Sequence, residues 1–187
     1  MTQTSRLTPE TGFMEHIEAS TGIRISACFQ CKKCTNGCPV TFAMDVYPDQ
    51  VIRLIHMGMR DQVLSCGTIW VCAACETCTT RCPNDIDIAG VMDYLKERAV
   101  ASGVSIPQQR TKLFHEAFLN DVRRRGRLSE GRMLQSYMLK SGELWRKIKD
   151  GEIGEEISLG VNMFRKGRMS LIPKGVRSKS EIRAILK

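Results

Sequence analysis

Residues 28–39 read CFQCKKCTNGCP and residues 72–83 read CAACETCTTRCP. Each run sets four cysteines at the same offsets and closes on Cys-Pro, the second starting 44 positions after the first. A cysteine does its chemistry as a thiolate, which forms disulfides, attacks electrophiles or binds soft metals. Nine cysteines in 187 residues would suggest a disulfide scaffold in a secreted chain. The odd count, the tight spacing and an N-terminus (MTQTSRLTPETGF) without the charged-then-apolar layout of a signal peptide point instead to reduced, metal-binding thiols in a cytoplasmic setting.

Zinc also takes four thiolates, often from two separated Cys-x-x-Cys pairs, but two identical triplet-plus-one runs fit it poorly. Cys-x2-Cys-x2-Cys-x3-Cys-Pro is the run by which bacterial ferredoxins hold [4Fe–4S] cubanes. Three thiolates two residues apart reach three irons of one cube, and in two-cluster proteins the fourth ligates the other cube. The expected sets are therefore Cys28, Cys31, Cys34 and Cys82 on one cluster, and Cys72, Cys75, Cys78 and Cys38 on the other. Pro39 and Pro83 fix the backbone where each chain leaves its loop.

An oxidised cubane core with four thiolates carries net negative charge, which cations or backbone N–H groups must offset. Lys32, Lys33 and Arg81 lie within the runs, either to offset it or as ordinary solvated loop charges. Trp70 shields a cluster or serves as a plain core residue. Cys66 falls off the repeat and is expected to be a buried structural thiol. His16, His56 and His115 lack Rieske-like spacing and receive no ligand role, and no residue is assigned a catalytic one.

The elements that must position these loops are helical. GFMEHIEASTGI forms a short helix ending near Gly22. Pro48 opens an amphipathic helix to Met59 with Val51, Leu54, Ile55 and Met59 on one face, and a shorter helix follows before Gly67. Asn84 or Asp85 caps a helix bearing Ile88, Val91, Met92, Leu95 and Ala99 and stopped by Gly103. Pro107 opens the next, in which Leu113, Ala117, Phe118 and Val122 make a stripe and Arg123, Arg124 and Arg125 complement the carbonyl end before Gly126. Residues 128–149 are helical again. The stretch SLGVNMFRKGRMSLIPKGVR reads as turns and short helices, and Ser178 with Glu181 boxes a final helix, Lys179–Leu186. With strand signals nearly absent, the fold class is all-α. The chain divides into an N-terminal segment 1–22, a cluster domain 23–104 and a basic extension 105–187.

Seven Lys/Arg face nine Asp/Glu before Val91, a net of −2, and 21 face 11 from Val91 onward, a net of +10. The basic half suits a solvated helical face, or docking to an acidic partner, nucleic acid or anionic lipid. With 6% aromatic residues, base-stacking surfaces and hence nucleic-acid binding are not expected. No apolar run approaches the roughly 20 residues of a membrane helix, so any membrane association would be made through partners.

With a helix between the runs and about a hundred residues after them, the chain resembles the helical ferredoxin domain of iron–sulfur subunits related to succinate dehydrogenase. It is more closely similar to the C-type subunit of heterodisulfide reductase, through the runs, WVCAACETCTTRCPNDIDI, GRLSEGRML (126–134) and MFRKGRMSLIPKGV (163–176). The resemblance implies two [4Fe–4S] clusters in an electron-transfer subunit. It would relay electrons between two partners, a flavin-containing A-type subunit and a disulfide-reducing B-type subunit with Cys-Cys-Gly domains. Alternatives are the iron–sulfur subunit of a succinate, glycerol 3-phosphate or glycolate dehydrogenase, and a free two-cluster ferredoxin. This chain has no adjacent Cys-Cys pair and no flavin-type glycine loop, so substrate chemistry is expected on a partner.

Overall fold

The computed structural model describes residues 9–151, 153–167, 176 and 179–185. Among these, all regular elements are helices, and the chain forms two compact units, 1–108 and 109–187.

In the first unit, α1 (Phe13–Thr21) buries Phe13 and Ile17 and ends where Gly22 turns left-handed at φ 73 and donates to the Glu18 carbonyl at 2.8 Å. Glu18 also accepts the Ser26 N–H at 2.7 Å, holding the single turn Ile25–Ala27 that delivers Cys28. α2 (Lys33–Gly37) carries the third cysteine of the first run and α6 (Thr77–Thr80) that of the second. Between them run α3 (Pro48–His56), α4 (Arg60–Ser65) and α5 (Thr68–Val71), and the long α7 (Ile88–Ser102) closes the unit. α7 packs against α1, α4, α5 and α6, and α2 packs against α3 and α6. Their apolar faces form one core of Ile17, Ile25, Val51, Ile52, Ile55, Leu64, Ile69, Val91, Met92 and Leu95 with neighbours.

Two boundaries differ from the sequence expectation. α3 stops at His56 rather than Met59, because Gly58 adopts φ 69 and its carbonyl accepts the Glu10 N–H at 2.8 Å. α7 is capped by Asp87, whose carboxylate accepts the Gly90 N–H at 2.8 Å, and not by Asn84 or Asp85. The Asn84 amide is committed to the Ala27 carbonyl, and Asp85 sits left-handed at φ 53.

The second unit contains α8 (Gln109–Arg125), α9 (Glu130–Lys140), α10 (Glu143–Asp150), α11 (Ile153–Arg165) and α12 (Lys179–Ile185). Asp121 of α8 pairs with Arg125 and accepts the Ser129 N–H at 2.6 Å, fixing the turn into α9. Glu143 receives Arg110 at 2.7 Å and Arg146 at 2.8 Å, tying α10 to α8. Residues 128–149 are helical as expected, in two helices that part where Gly142 turns left-handed at φ 72. Conversely α11 runs unbroken through Gly160, within the stretch where turns and short helices were expected. Ser178 of the expected capping box lies outside the described residues, as does most of 163–176 beyond Gly167. No helix among the described residues is long and apolar enough to cross a membrane.

Candidate metal centre

Both cysteine loops use the same backbone device. Gln30 and Lys32 have φ of 55 and 62, and Ala74 and Glu76, 44 positions on, have φ of 50 and 58. Non-glycine residues hold left-handed conformations only where the surroundings over-determine them, and such positions gather at functional sites. These reversals wrap the first three cysteines of each run around one side of the loop. The third cysteine sits in a one-turn helix, and the fourth ends it through matching bonds, Cys38 N–H to the Thr35 carbonyl and Cys82 N–H to the Thr79 carbonyl, each 3.1 Å.

Because α2 lies against α6, each fourth cysteine is carried to the other run's loop. Cys28, Cys31, Cys34 and Cys82 line one open cavity of about 330 Å³, with Phe29, Gln30, Lys32, Lys33, Asp49 and Asn84 on its wall. Cys38, Cys72, Cys75 and Cys78 line a second of about 380 Å³, with Val40, Met44, Pro48, Glu76 and Met92. Ile88, 3% exposed, contributes to both walls. Arg81 lies across Gly37, where an added Cβ would meet its Cδ at 2.7 Å.

Among the described residues no three His, Cys, Asp or Glu side chains converge as a single ion requires. The thiols instead line two open cavities four at a time, and an all-thiolate donor set is the one that iron–sulfur clusters take. The residues therefore fit such a group. Burial pushes the Cys34 thiol up to about 11, over the lowering effect of hydrogen bonds from Thr35, and also raises Cys72 and Cys78. Exposed Cys75 is shifted down, because the Thr77 hydroxyl and N–H favour its thiolate. A bound metal core must displace protons from the raised thiols, so loading is coupled to pH.

Two threonines were not singled out by the sequence. Thr35 donates to Asp49, and its hydroxyl accepts the Asp49 N–H at 3.0 Å at the start of α3. Thr79 donates to Asp87 at 3.1 Å and accepts the Ala89 N–H at 3.2 Å in the first turn of α7. Each thus clamps the turn after a third cysteine to the helix supporting its loop. The signal was available: apart from Cys and Pro, threonine at this position is all the two twelve-residue runs share. A third tie is Asp45, whose carboxylate accepts the N–H groups of Gly67 at 2.6 Å and Thr68 at 2.9 Å and the Thr68 hydroxyl at 2.8 Å. It caps α5, which leads directly into Cys72.

Trp70, 5% exposed, packs in the core and is not among the side chains walling either cavity. Cys66 is buried too, its thiol donating to the Val63 carbonyl at 3.1 Å. His56 Nε2 meets the Ile25 carbonyl at 2.9 Å, and neither it, His16 nor His115 lines a cavity. Phe29, 75% exposed, stands at the mouth of the first cavity.

Residues 24–86 match the family model of the 4Fe-4S dicluster domain. The chain is 31% identical over 116 residues to the C-type subunit of the H(2):CoB-CoM heterodisulfide,ferredoxin reductase of Methanothermobacter marburgensis, covering 59% of this chain and 63% of that protein. Over 79 residues it is 37% identical to the second C-type iron-sulfur subunit of the CoB--CoM heterodisulfide reductase of Methanocaldococcus jannaschii, 42% of each chain. Over 84 residues it is 34% identical to a protein of Archaeoglobus profundus named as similar to the heterodisulfide reductase C-type subunit, 44% of each chain. The chain thus spans less than two thirds of the length of these relatives. It carries a 4Fe-4S dicluster domain and is a homologue of the C-type subunits of heterodisulfide reductase.

Proposed function

We propose that the chain is the electron-transfer iron–sulfur subunit of a heterodisulfide-reductase-type complex. It would hold one [4Fe–4S] cluster on Cys28, Cys31, Cys34 and Cys82 and another on Cys72, Cys75, Cys78 and Cys38. The proposed partners are a flavin-containing A-type subunit and a B-type subunit with Cys-Cys-Gly domains, on which the disulfide is reduced. The observation that carries this is the pair of four-thiol cavities separated by the Ile88 side chain.

The clusters supply one-electron storage when bound. The protein's part is to fix and separate them. The left-handed loops present three thiolates each, α2 and α6 exchange the fourth, and Ile88 keeps water from the gap. Residues 23–104 are the proposed cluster domain, 1–22 a flanking segment and 105–187 a basic extension for contacts with other subunits. A cytoplasmic location, with membrane association only through partners, accords with this assignment.

Anaerobic purification of the tagged chain with iron and sulfide analysis tests it. About eight irons per chain and co-purification with a flavoprotein and a Cys-Cys-Gly protein are expected. Zinc in place of iron sinks the cofactor assignment. A monomer that serves several soluble reductases would instead make the chain a free ferredoxin.

A further inference from the structure

We propose that the pair of sites has a built-in polarity: the site walled by Cys28, Cys31, Cys34 and Cys82 takes an electron before the site walled by Cys72, Cys75, Cys78 and Cys38. This rests on the two-cluster assignment above and adds a direction to it.

The internal repeat supplies the comparison. Lys32 and Glu76 are equivalent residues, 44 positions apart, with nearly the same left-handed φ of 62 and 58, each immediately preceding a one-turn helix. Both are exposed and each lines its own cavity, but their charges are opposite. Lys33, also on the first wall, has the neutral Thr77 as its counterpart. An added electron makes a site more negative, so nearby cations favour its arrival and anions oppose it.

Hydrogen bonding to sulfur is nearly matched between the sites, so the charges carry the difference. Cys28 Sγ receives the Gln30 N–H at 3.4 Å and the Gln30 carboxamide at 3.6 Å. The counterpart of Gln30 is Ala74, which has no side-chain donor. The second site has donors of its own: the Thr77 hydroxyl lies 3.4 Å from Cys75 Sγ, the Thr77 N–H bonds the same sulfur, and the Ala74 N–H bonds Cys72. Donors to sulfur raise a cluster's potential, whereas an apolar, water-poor wall lowers it. Gln30, Lys32, Lys33 and Asn84 face the first cavity, and Val40, Met44, Pro48, Ala73 and Met92 face the second.

The remaining charges do not reverse this balance. Asp49 is on the first wall and offsets one of its two lysines, whereas Asp87 is exposed and lines neither cavity. Arg81 lies across Gly37, adjoins Cys82 in sequence as Gly37 adjoins Cys38, and lines neither cavity. Lys96 reaches the Cys72 carbonyl at 3.3 Å but is paired with Asp93 at 2.9 Å. Asp85 is close in sequence to Cys82 but lines neither cavity. The internal step is the passage of one electron: the second site is oxidised by one, the first reduced by one, and no proton or other group moves.

The test is an EPR-monitored dithionite titration of the anaerobically loaded full chain, with iron counted beforehand. Cys31→Ser and Cys75→Ser, at equivalent exposed positions, assign each signal to its site. The first-site signal is expected at the higher potential, and the double variant Lys32→Glu/Glu76→Lys should bring the two midpoints together or invert them. Each substitution places a residue in a left-handed position that the other loop already tolerates. Simultaneous reduction, reduction of the second site first, or a gap unmoved by the exchange in a fully loaded protein overturns the polarity. A loaded chain with fewer than about eight irons overturns the two-cluster assignment and the polarity with it.

Discussion

Thr35 and Asp49 hold each other twice: the hydroxyl donates to the carboxylate and accepts the Asp49 backbone N–H at 3.0 Å. Asp49 is 8% exposed, so the pair is sheltered from water, and it joins the first cysteine loop to α3. Thr35→Val removes both bonds and leaves a buried carboxylate short of a donor. We expect a loss of about 1–3 kcal/mol in urea unfolding of the loaded protein, followed by circular dichroism. Thr79→Val should cost less, because Asp87 is exposed and water replaces the lost donor.

Asp45 gives a pH signature. Burial alone would raise its carboxyl, but the Gly67, Thr68 and Val46 N–H groups and the Thr68 hydroxyl outweigh burial and hold it below the usual carboxylate range. A depressed folded pKa contributes stability that is present above the unfolded value, near 3.9, and is lost as pH falls through the folded one. Asp45→Asn should therefore be less stable than wild type at neutral pH by about 1–2 kcal/mol. The difference should shrink below about pH 4. Paired thermal melts across pH read it, and a gap that widens in acid contradicts the assignment.

Cys66 is buried, burial raises its thiol, and it lines neither cavity. Cys66→Ala should keep the full iron content and visible spectrum and cost about 1 kcal/mol. Cys34→Ala should lose about half the iron. Iron analysis alongside absorbance separates the two outcomes.

Gly58 combines φ 69 with a position where an added Cβ would stand 2.6 Å from the Glu10 carbonyl oxygen. Backbone cannot swing aside as a flexible side chain does, so Gly58→Ala should destabilise the first unit by about 1–3 kcal/mol. Gly37→Ala meets only the movable Arg81 side chain and should cost less, as a comparison of urea midpoints will show.

Local patterns made much of this legible. Ile88, Val91, Met92, Leu95 and Ala99 recur at helical spacing, and all five are buried on α7. The cysteine runs lie next to one another because their repeated loops pair through α2 and α6. What escaped depended on partners distant in sequence. Asn84 looks like a helix cap until its amide is seen engaged by Ala27, 57 residues earlier. Asp49 reads as an ordinary acidic residue in a first helical turn, and its link to Thr35 exists only once the loop has folded back. Gly160 suggested a break, yet α11 passes through it, because intrinsic propensity is a weak prior. Gly142 interrupts residues 128–149 because it takes a left-handed cap that propensity alone does not foresee.

Gln30, Lys32, Ala74 and Glu76 hold a posture that suits glycine but belongs here to residues with side chains. A newly made polypeptide that has not yet met iron gains little by keeping it, so both loops should relax and their amides exchange rapidly with deuterium. Delivery of the inorganic core is then what sets them, and maturation becomes a folding event confined to two short segments of an otherwise finished scaffold.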